Sequence, residues 1–413
     1  MNDSFVHYPL KEITTKIGSG ATPRGGKGSY KTTGISQIRS LNVFDLNFKY
    51  NNLAFIDEEQ ADKLSNVEIF EGDVLLNITG ASVARCCKVP KRILPARVNQ
   101  HVSIIRVDKS KADSDFIQYA LVSPYNKSGL LNIAQTGATR EALTKSDIEN
   151  FQIPLPSMDI QHKIAGVLSA YDDLIENNTR RIAILEEMAQ RIYKEWFVDF
   201  KYPGHENDKL VDSELGMIPE GWVVDKLKNN SEITYGFAFK SKDFNKEGVG
   251  IKVVRIRDII PGKTSTFSPE IPDDKYIIND RDILVGMDGI FHTGIWSNGM
   301  AYLNQRVVKF VPKANIPPLL LFHILQKPIL HLNNAIVGTT VAHLSARDIN
   351  QIVMIKPAPD ILSKCCNIYE DFLSQIINLK KKNTILRQTR DHLLPKLISG
   401  QVDVSDLNID TGA

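Results

Sequence analysis

Residues 159–200, DIQHKIAGVLSAYDDLIENNTRRIAILEEMAQRIYKEWFVDF, place apolar or near-apolar side chains alternately four and three apart. The series is Ile164, Leu168, Tyr171, Ile175, Asn178, Ile182, Leu185, Ala189, Ile192 and Trp196. A mean spacing of about 3.5 residues keeps one face of a helix turned toward a partner helix, so the stretch reads as one strand of a coiled coil. It contains no proline, and Gly166 is its single weak point.

The partner lies in the same chain, shifted by 201 residues: Cys365, Tyr369, Phe372, Ile376, Leu379, Asn383, Leu386, Arg390, Leu393 and Leu397. Tyr171 maps to Phe372, Ile175 to Ile376, Leu185 to Leu386 and Ile192 to Leu393, so both segments keep one register. Residues 159–200 carry 8 Asp/Glu against 5 Lys/Arg, and residues 361–400 carry 3 against 7. Opposite charge favours pairing the two segments with each other over self-pairing. Asn178 and Asn383 fall within the seams, where a polar residue costs stability but fixes register. The alternative is two unrelated amphipathic helices, each packed on its own domain.

Outside these helices the chain repeats a second pattern. Each half opens on a β-like approach and a loop rich in glycine or basic residues: IGSGATPRGGKG (17–28) then ISQIRSLNV (35–43), and ITYGFAFKSKDF (233–244) then IKVVRIRDI (251–259). A turn, a short apolar strand and a glycine loop follow, EGDVLLNITGASVAR (71–85) and NDRDILVGMDGIFHTG (279–294). An Asn-Gln strand comes next, ARVNQHVSIIRV (96–107) and AYLNQRVVKFV (301–311). The closing signatures, GATREALTKSDI (137–148) and GTTVAHLSARDI (338–349), space Gly137, Leu143, Asp147 and Ile148 as they do Gly338, Leu344, Asp348 and Ile349. The two glycines read as positive-φ turn positions. Pro154 and Pro156, or Pro357 and Pro359, then precede each long helix as a rigid break.

The fold class expected is therefore α+β: two globular heads separated by two long antiparallel helices that form an intramolecular coiled coil, with a pseudo-twofold internal repeat. The expected boundaries are 1–157 for the first head, 158–203 for the first long helix, 204–359 for the second head, 360–400 for the second long helix and 401–413 for a tail. A chain of 413 residues with 42% apolar and 24% charged content has ample core for two or three domains. No apolar run approaches bilayer-spanning length and MNDSFVHYPLKEI has no signal-peptide pattern, which points to a cytoplasmic protein without a membrane role. The four cysteines, Cys86, Cys87, Cys365 and Cys366, are two vicinal pairs without metal-site spacing and read as buried small hydrophobes. A net charge of +2 confines any nucleic-acid binding to local clusters.

The first glycine cluster lacks the Lys-Ser/Thr ending of a P-loop and the dinucleotide glycine spacing. NIPPL (315–319) lacks both the spacing and the aromatic of the Pro-Pro motif of amino-methyltransferases. Asp273-Asp274-Lys275 is a lone acidic triplet without a second carboxylate to make a nuclease centre, and the 9 histidines form no metal-ligand or triad spacing. These absences point away from catalysis and leave no metal site to propose.

ATPRGG (21–26), NITGA (77–81), VNQHVSII (98–105), GATREALTKSDI (137–148) and IPLP (153–156), in that order before the first long helix, resemble the specificity subunit of type I restriction-modification enzymes. EWFVDFKYPG (195–204) and ELGMIPEGWVVDKL (214–227) look like that family's passage into its second half, as do GFAFKSKDF (236–244), GMDGIF (286–291) and AYLNQRV (301–307). The resemblance covers nearly the whole chain. It implies that each head is a target recognition domain reading one half of a bipartite, asymmetric double-stranded DNA site, and that the helices set the spacing between the halves. It implies docking of two modification (methyltransferase) subunits, which recruit ATP-dependent restriction subunits. S-adenosylmethionine, ATP and Mg then belong to those partners, with no cofactor and no catalytic centre in this chain. Two other classes stand beside it: a methyltransferase or nuclease with its own recognition domains, and a protein-interaction scaffold without DNA binding.

Long basic or amide side chains beside the glycine turns are the candidate DNA contacts, since Arg and Lys neutralise phosphates and Arg, Asn and Gln discriminate bases. They are Arg24, Lys27, Lys31, Arg39, Arg85 and Arg140 in the first head and Lys240, Lys242, Arg255, Arg257, His292 and His343 in the second.

Overall fold

The seam at 159–200 becomes an α-helix, Met158–Tyr193, and its repeat becomes another, Pro359–Ile398, in a computed structural model that describes residues 5–135, 141–313, 316–335 and 342–408. The first α-helix ends short of 203. A π-helical turn, Lys194–Val198, closes it, with the Asp199 N–H donating to the Lys194 carbonyl and that of Lys201 to Glu195. Phe200 then takes φ 56° and reverses the chain. The reason lies in the aromatic residues of EWFVDFKYPG: Phe197, Phe200 and Tyr202 pack on Trp222 at ring separations of 5.8, 5.5 and 5.3 Å. Continuing the helix would pull that cluster apart.

Two units make up the chain, one of Met1–Ile175 with Ile385–Ala413 and the other of Glu176–Thr384, so the dividing line falls inside each long helix. Within the second unit, Asn178 meets Asn383, Glu186 meets Lys380 and Ala189 meets Tyr369. Numbers fall along one helix as they rise along the other, which makes the pair antiparallel there. The Asn178 amide donates to Asn383 Oδ1 at 2.9 Å, and the Asn383 amide donates to Thr179 Oγ1 at 3.2 Å. Both asparagines are buried, so a shift of register would strand two amides in the seam. Within the first unit, Ile164, Ala165 and Leu168 share one core with Leu394, Leu397 and Ile398. Of the remaining seam positions, Ile175, Ile182, Tyr369, Ile376 and Leu379 are buried, whereas Tyr171, Leu185, Ile192, Trp196, Phe372, Leu386 and Leu393 are partly covered.

Each unit carries the same two four-stranded sheets. In the first, one sheet runs Thr14–Ser19, Val102–Val107, Val74–Asn77, Cys86–Lys88, and the other Ala54–Ile56, Ile35–Ile38, Ala96–Val98, Glu68–Ile69. In the second, the corresponding orders are Ser231–Tyr235, Val307–Pro312, Ile283–Gly286, Thr293–Ile295 and Phe267–Ser268, Ile251–Val254, Ala301–Leu303, Ile277–Ile278. The parallel strand pairing is repeated as well, Ile35–Ile38 on Ala96–Val98 and Ile251–Val254 on Ala301–Leu303. A two-stranded ribbon leads into each long helix, Val6–Pro9 with Gln152–Leu155 and Val223–Lys226 with Val353–Lys356.

This arrangement corrects the reading of the Asn-Gln segments as single strands. Each is two strands belonging to different sheets, broken by a turn at 99–101 and at 304–306. Successive strand residues face opposite sides of a sheet, which explains the first vicinal cysteines: Cys86 enters the core shared with the long helices and Cys87 the core between the sheets. Burial pushes the Cys87 thiol up to about 12. Cys365 is buried likewise, but Cys366 is partly exposed. No helix among the described residues is long and apolar enough to cross a membrane.

Candidate nucleic-acid interface

The strand break at 99–101 is where the loops of the first unit converge. The Asn99 N–H donates to the Ile38 carbonyl (2.9 Å), Ala21 to Val98 (2.9 Å), Gly20 to Val102 (3.0 Å) and Val102 to Asn99 (3.1 Å). A Cβ on Gly20 would lie 2.0 Å from the Val98 oxygen, so only glycine lets the first loop approach this closely. The second unit repeats the set: Asn304 to Val254 (3.2 Å), Phe237 to Leu303 (2.8 Å), Gly236 to Val307 (3.1 Å) and Val307 to Asn304 (2.9 Å). A Cβ on Gly236 would stand 1.9 Å from the Asn304 oxygen.

A glycine turn packs against this break. Ile78 donates to the His101 carbonyl (3.0 Å), Leu143 to Ile78 (2.9 Å) and Gly80 to Glu141 (2.9 Å). In the second unit Met287 donates to Arg306 (2.9 Å), Leu344 to Met287 (2.8 Å) and Gly289 to Ala342 (2.9 Å). Gly80 and Gly289 hold φ 67° and 71°, the left-handed region that glycine tolerates. The chain then enters a short capped helix, Lys145–Asn150 or Ala346–Gln351. The spacing of the closing signature is that of a capping box: Thr144 and Ser345 accept from the N–H of Asp147 and Asp348, whose carboxylates accept in return, while Leu143, Ile148, Leu344 and Ile349 are buried. The hydrogen bond from the Ser345 hydroxyl holds the Asp348 carboxyl below its ordinary range. Gly137, Gly338 and Arg140 lie outside the described residues.

Arg39 and Arg255 prove to be the same position in the two units. Each follows the parallel strand and starts a helical turn whose third residue, Asn42 or Asp258, accepts from the arginine's own N–H at 3.0 Å. Each guanidinium lies over an aromatic ring, Tyr30 at 5.4 Å and Phe244 at 5.3 Å. Each Nε is buried without a hydrogen-bond partner among the described residues. Arg85, over Phe44 at 4.6 Å, corresponds to His292, because their carbonyls accept from Asn77 and Gly286 (both 2.8 Å). The Asn77 amide ties this turn to the Arg39 loop through the Ser40 carbonyl (2.9 Å). In the second unit Gly286 leaves that space to the Ile256 side chain.

Arg24, Lys240 and Lys242 are exposed on the loops that follow the two close-approach glycines, and Lys27 lies on the turn Gly26–Ser29. Lys31 lies 3.4 Å from the Asp57 carboxylate and Arg257 3.9 Å from that of Asp258. His343 does belong to the loop cluster, with Nδ1 2.6 Å from Asp288 Oδ1.

Sequence reasoning passed over the residues at the centre of each cluster. In the first unit Thr79 Oγ1 lies 2.8 Å from His101 Nδ1, and the Thr22 hydroxyl donates to Gln100. In the second unit the place of Thr79 is taken by Asp288, that of His101 by Arg306 and that of Ala142 by His343. The repeated Asn-Gln followed by a residue that differs, His101 or Arg306, was the signal available. Hydroxyl, amide, imidazole and guanidinium groups on a glycine-bounded loop surface match the hydrogen-bonding edges of bases and the phosphates beside them. Among the described residues no group of His, Cys, Asp and Glu is placed to hold a metal ion.

A family model described as type I restriction modification DNA specificity domain matches residues 3–187 and 219–387. The specificity subunit of the type I restriction enzyme MjaIX of Methanocaldococcus jannaschii is 28% identical over 361 residues, covering 84% of this chain and 82% of its own. That of EcoBI of Escherichia coli is 31% identical over 202 residues, covering 47% and 42%. The crystal structure of the type I restriction-modification S subunit from M. genitalium shares the fold with a TM-score of 0.59 at 15% identity, over 96% of this chain and 97% of that one.

Proposed function

The chain belongs to the family of type I restriction-modification DNA specificity subunits, and on that footing we propose that its two heads each dock on duplex DNA and read one half of a bipartite, asymmetric site. The paired long helices hold the readers at a set separation, so the helices fix the number of unread base pairs. A helix of 36 residues is about 54 Å long at ~1.5 Å per residue. The same helices dock two methyltransferase subunits that bind S-adenosylmethionine and methylate adenine. Restriction subunits that use ATP and Mg join that complex, in the cytoplasm where the DNA is. This chain supplies recognition and geometry, with no reaction of its own.

The observation that carries the reading is the strand-for-strand repetition of one head whose framework glycines, capped helices and Arg39/Arg255 turns recur while the side chains between them differ. A shared framework docks in the same way, and different side chains read different bases. Mapping methylated adenines in DNA exposed to the reconstituted modification complex tests it. The expected result is one split motif, with replacement of residues 230–352 by those of a relative changing one half only. Arg140→Ala is expected to weaken recognition of the other half by about tenfold, as loss of one charged contact does, while assembly with methyltransferase subunits persists. Methylation by the isolated chain, or duplex binding indifferent to salt, would contradict the reading.

A further inference from the structure

We propose that Arg306, aimed by Asp288, reads a guanine in the half-site of the second head; this rests on the DNA-reading function above and names the base that one position recognises. Arg306 is fixed at two points before any ligand arrives. Its carbonyl accepts from the Met287 N–H at 2.9 Å, and its Nε stands 3.2 Å from Asp288 Oδ2. The other oxygen of Asp288 meets His343 Nδ1 at 2.6 Å. A carboxylate only accepts, so the imidazole carries its proton on Nδ1 and donates it. Asp288 is thereby clamped between two loops, one leading into the strand Val307–Pro312 and the other into the capped helix Ala346–Gln351.

Nε is the nitrogen that comes nearest the carboxylate, and the two terminal amino groups of Arg306 form a fork on a side chain that is 52% exposed. Two parallel N–H donors at that spacing match O6 and N7 of guanine, an edge that no other base presents in the major groove. A guanidinium already held in place loses less rotamer freedom on binding than a free one. Lysine could supply the charge but not the fork. The first unit cannot read in this way, because Thr79 and His101 stand in the places of Asp288 and Arg306.

The test uses the reconstituted modification complex and a library randomised across the half-site of the second head, with Arg306→Ala, Arg306→Lys and Asp288→Asn compared against the parent chain. The parent should require G·C at one position by roughly tenfold or more over other pairs. Both Arg306 variants should lose that preference at that position alone, Asp288→Asn should reduce it, and the half-site of the first head should be unchanged. Substituting 7-deazaguanine at that position should weaken the parent complex and leave Arg306→Ala unaffected, a readout that does not depend on how well a variant folds. Variant folding is followed by tryptophan emission, since Trp196, Trp222 and Trp296 all lie in the second unit. A uniform loss of affinity across all sequences, with Arg306→Lys behaving as the parent, would make Arg306 a phosphate contact and overturn the assignment. So would a second half-site without a required G·C pair. In both cases the parent still binds a split site and the broader function stands, whereas a parent complex that selects no sequence refutes that function itself.

Discussion

Tyr119 in the first unit and His323 in the second hold the same place, five residues before a proline, Pro124 or Pro328, on a helix of each head. Their surroundings are opposite in chemistry. The Tyr119 hydroxyl donates to Asp172 of the first long helix (2.6 Å), and the other oxygen of Asp172 receives Arg390 from the second. Under the 201-residue repeat, Asp172 becomes Leu373 and Arg390 corresponds to Ala189. There His323 stacks on Tyr193 at 5.5 Å and leans on Tyr369 at 6.3 Å, and the Tyr369 hydroxyl donates to the Ala189 carbonyl. One backbone design thus seats its head through a half-buried ion pair in one copy and an aromatic stack in the other. What the repeat preserves is backbone pairing rather than side-chain size or polarity, and the reading loops follow the same rule.

The sharpest way to break this comparison is at the glycines where the two units do not differ. Gly20→Ala and Gly236→Ala each drive a Cβ into a backbone carbonyl, and each should cost on the order of 4 kcal/mol or unfold its own unit. Gly18→Ala, with nothing within 4 Å of the added carbon, is the control in denaturant titrations. The first unit is followed through Cys86 and Cys87 thiol reactivity and the second through tryptophan emission. Equal stability of the Gly18, Gly20 and Gly236 variants would mean that the loops do not need this close approach.

Next in size is the ion pair. Asp172→Ala leaves the Tyr119 hydroxyl without its acceptor and Arg390, only 11% of whose side chain is exposed, with Asp391 alone as its carboxylate partner, and should destabilise the first unit by about 3 kcal/mol. Burial raises the Asp172 carboxyl despite Arg390. The double variant Asp172→Leu with Arg390→Ala copies the two helix positions of the second unit and should recover most of the loss. No recovery would show that the polar set is required where it stands.

Near neutral pH the smallest effect is a pH dependence that His323 brings to the second unit. Burial lowers His323 from 6.5 to about 4, so the fold holds a neutral imidazole that the unfolded chain would protonate. Stability from this group is complete above pH 6.5, falls by about 2 kcal/mol by pH 5 and levels off below 4. His323→Phe should abolish the slope in tryptophan-detected unfolding. Tyr119 and Asp172 give the first unit no matching loss, because a carboxyl whose folded value is raised binds its proton more tightly in the fold than out of it.

The helix pair was legible because a coiled-coil seam is a local, periodic signal, and Asn178 and Asn383 announced a register that their hydrogen bond now fixes. The repeat of the heads was legible as motif order, but not its sheets. The parallel pairing of Ile35–Ile38 with Ala96–Val98 joins segments some sixty residues apart, and alternation alone does not reveal that the Asn-Gln segment changes sheet at its turn. Basic residues were found by type alone, without the carboxylates that stand beside Lys31 and Arg257. Arg306 was passed over because its significance comes from Asp288, which only the fold brings to it. The capping box behind Leu143, Asp147 and Ile148 was written in the sequence as Thr-x-x-Asp and could have been read there.

Lengthening the helix pair tests the central claim most directly. Seven residues added to each long helix beside the Asn178–Asn383 pair preserve the seam and extend the strut by about 10 Å. At ~3.4 Å per base pair, the methylation motif of the complex should keep both half-sites and gain about three unread base pairs between them. Both half-sites recognised at an unchanged gap would contradict the account.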